Sequence, residues 1–291
     1  MNMGIGTRID QALTAAVDQA TARGCPPGLA EALRYSVFPG GARVRPRLCL
    51  AVAGACGDDA PALADGAAAA IELLHCASLV HDDLPCFDDS PLRRGKPTVH
   101  KAFGERLALL VGDAMIVLAF QTLGRAASAF PERLGHLMLT IGDAVGMPFG
   151  IAAGQAWECE PRLVLSDYHN AKTGALFVAA CVAGAQAAGA DPVPWRRVGE
   201  GLGEAYQVAD DLRDALCHVD ELGKPVQQDA LLGRPNAVQE LGVDGAVRRL
   251  QLLVGEAVAA VPHCPGAGAL KALIAGESTR ILPKELSRRA A

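Results

Sequence analysis

Alanine-rich apolar segments of about 12 to 25 residues follow one another along the whole 291-residue chain, each closed by a glycine or proline break. The breaks fall at residues 24–28, 38–41, 57–59, 90–97, 146–148, 189–192, 223–225, 233–235 and 263–266. Runs in which β-branched and polar residues alternate are few, so the pattern favours packed helices over sheet. Hydrophobic residues make up 51% and aromatics only 4%, so small side chains must fill most of the interior. No polar linker or shift in composition divides the chain, and the expectation is an all-α fold with one domain over residues 1–291.

Two acidic clusters interrupt this apolar frame, Asp82-Asp83-Leu84-Pro85-Cys86-Phe87-Asp88 and Asp210-Asp211-Leu212-Arg213-Asp214. Carboxylates concentrated in greasy helices repel one another and lose hydration, so they require compensating positive charge. Facing clusters of hard oxygen donors would cage divalent cations, and suit Mg²⁺ carrying a phosphate. Asp210 and Asp214, four apart, lie on one helix face, with Asp211 beside them and Gln207 one turn before Asp211. The first cluster cannot be a regular helix. Pro85 predicts the end of the helix holding His75, Ser78 and Asp82, after which the chain must turn to return Asp88 toward Asp82.

The formal charge of −5 argues against a nucleic-acid partner, which would demand a basic stripe. Nine scattered cysteines with no CxxC pair read as reduced, buried thiols, and Met1 to Gln19 has no signal-peptide pattern, so a cytoplasmic location is expected. Thr173 to Ala190 carries no formal charge, yet its Ala/Gly composition predicts a buried bundle helix, and no transmembrane segment is expected.

The blocks GGARVRP (40–46), ELLHCASLVHDDLPCFDDSPLRRGKPTVH (72–100), GD (112–113), GQ (154–155), KTGAL (172–176) and YQVADDLRDALCHVDELGKP (206–225) resemble the trans-prenyltransferases, or polyprenyl synthetases. The DDxxxxD form resembles the bacterial and plant short-chain type, and the sequence as a whole is most similar to the geranylgeranyl diphosphate synthase branch of bacterial carotenoid pathways. The resemblance implies a large helical bundle of the isoprenoid synthase type with a central cavity, acting as a homodimer. It implies elongation of an allylic diphosphate by isopentenyl diphosphate: ionisation, attack by the double bond, then proton loss. Mg²⁺, about three ions per site with Mn²⁺ as a substitute, would neutralise the leaving diphosphate. It assigns metal coordination to Asp82, Asp88 and Asp210, with Asp83, Asp211 and Asp214 in support. Arg93, Lys172 and Lys224 would grip the allylic diphosphate beside Thr173 and Gln207, and Arg45, His75 and Arg94 would hold isopentenyl diphosphate.

A cationic intermediate must be kept from water, and product length should follow from the cavity floor. Ala77 and Ser78 stand five and four residues before Asp82, roughly 6–8 Å down the helix. Their small size predicts a C20 product, with Leu74, Met115 and Phe120 as candidates for a deeper stop. The chain departs from the family at Ala42, where a lysine is usual and where Arg43 is a candidate replacement, and at Gln228 and Asn236. Four rivals are weaker. A farnesyl (C15) synthase would be expected to carry a bulky aromatic at position 77. A terpene cyclase would have an Asn/Asp, Ser/Thr, Glu triad instead of DDLRD. An HD-type phosphohydrolase leaves the second cluster without a role. A regulatory subunit would have lost its metal aspartates.

Overall fold

The computed structural model describes residues 4–38, 41–161, 165–216 and 236–281. Helices α1 (Ile5–Ala20), α2 (Pro27–Val37), α3 (Val44–Cys56) and α4 (Pro61–Asp82) precede a small hairpin, β1 (Leu92–Arg93) and β2 (Lys96–Pro97). There follow α5 (Val99–Phe103), α6 (Glu105–Ala126), α7 (Pro131–Val145), α8 (Ile151–Ala156), α9 (Leu165–His169), α10 (Ala175–Ala187), α11 (Trp195–Leu216), α12 (Ala237–Ala260) and α13 (Ala267–Ile281). The hairpin supplies the only strands among the described residues, so the all-α expectation holds.

The core is built around α4. Pro61 opens it at a position where no amide hydrogen bond is lost, and every residue from Gly66 to Leu74 is buried. An unbroken buried run leaves no solvent face, and α1, α3, α6 and α10 pack around it. Small residues make that crowding possible. A Cβ on Gly66 would lie 2.3 Å from the Cβ of Ala126, and one on Gly184 of α10 would lie 2.4 Å from the Cys49 carbonyl. The uncharged 173–190 segment forms the buried α10 and its entry turn, as expected. Helices α4 and α6 are also long and apolar enough to cross a membrane by length and composition alone.

Most breaks fall between elements, while 223–225 and 233–235 lie outside the described residues. The hairpin turns at Arg94 and Gly95, whose φ values of 56° and 75° match the turn type that follows strand twist. The expectation of buried thiols holds for Cys49, Cys76 and Cys181 but not for Cys86 and Cys159, which are exposed on irregular segments beside the cavity. All eight cysteines among the described residues are free thiols. Asp58 and Asp59, in the break at 57–59, are structural anchors: Asp58 accepts from Arg8 at 2.7 Å and Asp59 from Arg133 at 2.8 Å.

Candidate active site

Asp82 is the last residue of α4, and its carbonyl accepts the Asp88 amide at 3.0 Å. That bond, with the Phe87 and Asp89 amides on the Leu84 carbonyl, closes the reversal that Pro85 forces, and it brings both carboxylates to the rim of a cavity of about 800 Å³. Asp210 and Asp214, on one face of α11, line the same cavity. Asp83 and Asp211 differ from these. Asp83 is buried against Arg93, whose Nε donates at 3.0 Å. Asp211 is buried too, accepting Gln207 Nε2 at 3.0 Å and the Ala237 amide of α12 at 2.8 Å. These two carboxylates fix the frame, Asp211 also reaching the cavity wall that Asp82, Asp88 and Asp210 line.

Lys172 sits in a single π turn (Asn170–Gly174), an irregularity common at functional sites. Its Nζ donates to Asp82 Oδ1 at 3.2 Å and to Glu158 Oε1 at 2.6 Å. Burial lowers the lysine pKa, but Asp82, Tyr168 and Glu158 outweigh it and the ammonium is strongly favoured. Glu158 went unnoticed in the sequence. It lies three residues after Gln155, at helical spacing, and accepts Gln155 Nε2 at 3.1 Å and the Tyr168 hydroxyl at 2.7 Å. The GQ block thereby finds its reason, since a Cβ on Gly154 would sit 2.5 Å from the Lys172 amide nitrogen. Thr173 Oγ1 donates to Gln207 Oε1 at 3.0 Å, linking the π turn to α11. Lys224 and Gln228 lie outside the described residues.

Arg45, His75 and Arg94 line the cavity together. The buried Arg45 guanidinium lies 4.7 Å from the Phe177 ring centroid and 5.5 Å from that of Tyr206, and its Nε has no hydrogen-bond partner among the described residues. Burial lowers its pKa, and burial with the neighbouring arginines holds His75 well below its usual range, so the imidazole is neutral. Arg94 is exposed at the mouth, held in the left-handed region, with its guanidinium against Gly41, where a Cβ would be 2.7 Å from Cζ. Arg43 does not replace the charge missing at Ala42. It is turned inward, donating to Glu72 at 2.7 Å and to the Val37 carbonyl at 2.8 Å.

Ala77, Ser78 and Leu74 line the cavity below Asp82. Met115 and Phe120 do not, which corrects the expectation of a deeper stop there. Met115 points toward α2, with its sulfur 3.8 Å from Ser36 Oγ, and α6 instead presents Leu109 and Ile116 to the wall.

The donor set fits a hard divalent ion. Asp82, Asp88 and Glu158 each place a carboxylate oxygen within 4.8 Å of the others. Burial, reinforced by Asp82, raises the Asp88 pKa, as expected of carboxylates gathered for a cation.

The chain matches the family model described as polyprenyl synthetase over residues 26–255. It is 53% identical to a geranylgeranyl diphosphate synthase of Cereibacter sphaeroides over 287 residues, covering 99% of this chain and 100% of that one. It is 48% identical to a geranylgeranyl diphosphate synthase of Rhodobacter capsulatus, covering 94% of each. A crystal structure of a geranyltransferase from Helicobacter pylori, complexed with magnesium and isoprenyl diphosphate, superposes with a TM-score of 0.78 at 27% identity, covering 96% of this chain and 99% of that one. Two aspartate arms on one cavity, arginines beside them and likeness along nearly the full length lead to one conclusion: this chain belongs to the polyprenyl synthetase family.

Proposed function

We propose that the protein is a Mg²⁺-dependent prenyltransferase catalysing the head-to-tail (1′-4) condensation of isopentenyl diphosphate with an allylic diphosphate, chiefly farnesyl diphosphate, to all-trans-geranylgeranyl diphosphate. The observation that carries this reading is the placement of Asp82, Asp88 and Asp210 around one cavity that also holds Lys172, Arg45 and Arg94. Bound Mg²⁺, about three ions in this reading with Mn²⁺ able to substitute, supplies the charge neutralisation that lets diphosphate leave. Asp82, Asp88 and Asp210 hold the ions. Lys172 transfers its ammonium from Asp82 to the allylic diphosphate, while Glu158 keeps the side chain in place. Arg93 adds charge on that side, Lys224, which lies outside the described residues, is assigned to the same diphosphate by the family resemblance, and Thr173 with Gln207 shapes the wall near the ionising carbon.

Arg45, His75 and Arg94 orient isopentenyl diphosphate so that its double bond meets the allylic cation. No protein general base is required if the departed diphosphate takes the proton. Leu74, Ile116 and Ile151 give the growing chain a water-poor channel. The residue at the first floor position is Ala77, which leaves room for a chain longer than C15.

The proposal extends to one catalytic domain over 1–291, a cytoplasmic enzyme serving carotenoid precursor synthesis, and a homodimer. Support for the dimer comes from α6, where Leu110 and Val117, two turns apart, are exposed on an apolar helix. Incubation with isopentenyl diphosphate and each allylic starter, with and without Mg²⁺, tests the reading. Elongation to C20 that requires Mg²⁺ is expected, and hydrolysis or cyclisation without elongation overturns it. The variant Ala77→Tyr is expected to shift the major product to C15 on chromatography of dephosphorylated chains. Unchanged C20 output removes this residue from the floor.

A further inference from the structure

Among the described residues, four arginines and one lysine line the cavity: Arg45, Arg93, Arg94, Arg213 and Lys172. Only Arg213 has no part in the scheme above. Its Nη2 donates to Asp210 Oδ1 at 2.9 Å and its Nε to the Ala209 carbonyl at 3.3 Å. Its guanidinium carbon lies 5.3 Å from the Tyr206 ring centroid. The Arg45 guanidinium lies 5.5 Å from the centroid of that same ring. Two guanidinium groups therefore share one aromatic platform, which restricts both and leaves their edges for an anion.

Among the described residues, Arg45 and Arg94 are the other cations on the wall at this end of the cavity. The segment leading into α3 contributes only Arg45, because Ala42 is neutral and Arg43 is committed to Glu72. Lys172, by contrast, is tied to Asp82 and Glu158. Arg213 thus stands with Arg45 and not with the lysine. Its present partner is a carboxylate that becomes a cation ligand in the proposed reaction. Positive charge arriving at Asp210 competes for its lone pairs and repels the guanidinium, while Tyr206 retains it nearby. A planar fork released in this way matches two diphosphate oxygens better than an ammonium would.

Resting on the function proposed above, we propose that Arg213 is a binding residue for isopentenyl diphosphate, passed from Asp210 to the substrate when the site is charged with metal. Arg213→Leu keeps the bulk of the side chain and removes the fork, and Arg213→Lys keeps a point charge. The Leu variant is expected to raise the KM for isopentenyl diphosphate about tenfold. Its KM for the allylic substrate is expected to match the wild type and its Mg²⁺ requirement to be no higher, because no guanidinium then competes with the ion for Asp210, and the Lys variant is expected to recover part of the loss. An unchanged isopentenyl diphosphate KM overturns the proposal. So does a rise in Mg²⁺ requirement together with allylic KM, which would make Arg213 a positioning residue for Asp210 alone. Calorimetric titration of isopentenyl diphosphate into both proteins with Mg²⁺ present gives a second reading that needs no turnover. If the wild type fails to elongate, the functional reading falls, and the titration still decides whether Arg213 holds this ligand: weaker binding by the Leu variant supports it and equal binding overturns it.

Discussion

The two aspartate arms reach one cavity by opposite routes. The α11 arm is a regular helix, its acids placed by helical spacing and one of its cations, Arg213, three residues from Asp210. The α4 arm is a chain reversal at a helix end; Arg93 reaches it from the hairpin ten residues beyond Asp83, and Lys172 from a π turn 90 residues beyond Asp82. Local periodicity suffices for one arm, whereas long-range packing must hold the other. The α4 arm should therefore be sensitive to changes that never touch a carboxylate.

The sharpest way to break that contrast is Gly154→Ala. Its methyl would force the Lys172 backbone to shift, and displacement of a substrate-gripping group by about an ångström typically costs about 10²-fold in turnover. Steady-state kinetics should show that loss, whereas Gly201→Ala on α11, whose Cβ would meet Ala257 at 3.3 Å, should leave kcat nearly intact. Equal effects from the two would remove the distinction.

A second comparison sets Asp83→Asn against Asp211→Asn. The first leaves the Arg93 guanidinium without its buried counter-charge, at a cost of about 3 kcal/mol by denaturant unfolding. The second keeps an oxygen to accept the Ala237 amide and should lose about 1 kcal/mol. A reversed order would mean that Asp211, not Asp83, holds its arm in place.

The smallest effect expected is on pH dependence. The unfolded chain protonates His75 near pH 6.5, while in the folded protein burial and nearby arginines depress that pKa well below it. Between these values the unfolded state binds more protons, so His75 contributes stability above about pH 6.5 that is lost as the pH falls toward the folded value. Melting temperatures between about pH 7 and 5.5 should fall less steeply in His75→Gln than in the wild type. Asp83 and Asp88, raised by burial, act with the opposite sign and in the carboxylate range below this window. A steeper fall in the variant would contradict a neutral His75.

The difference between the arms also decided what could be read in the sequence. Pro85 announces its helix end because its ring excludes a helical amide, and the Asp210/Asp214 spacing is helical on sight. Asn236, noted as a departure at a usual threonine, proves to cap α12 by accepting the Gln239 amide at 2.8 Å. Glu158 escaped because its role depends on Lys172 and Tyr168 folding over it, which spacing alone does not reveal. Arg43 was misplaced for a related reason: only the fold shows that Glu72 is buried and demands a partner. Met115 was placed one residue off the cavity wall because α6 is apolar on several faces, so its composition does not say which face meets the cavity.

The central claim is that the two arms act as one site for a metal-bound diphosphate. It is tested most directly by calorimetric binding of a non-ionising allylic thiolodiphosphate to the wild type, Asp82→Ala and Asp210→Ala, with and without Mg²⁺. The account predicts Mg²⁺-dependent binding in the wild type and its loss in both variants, each of which remains folded. Wild-type affinity in either variant would contradict it.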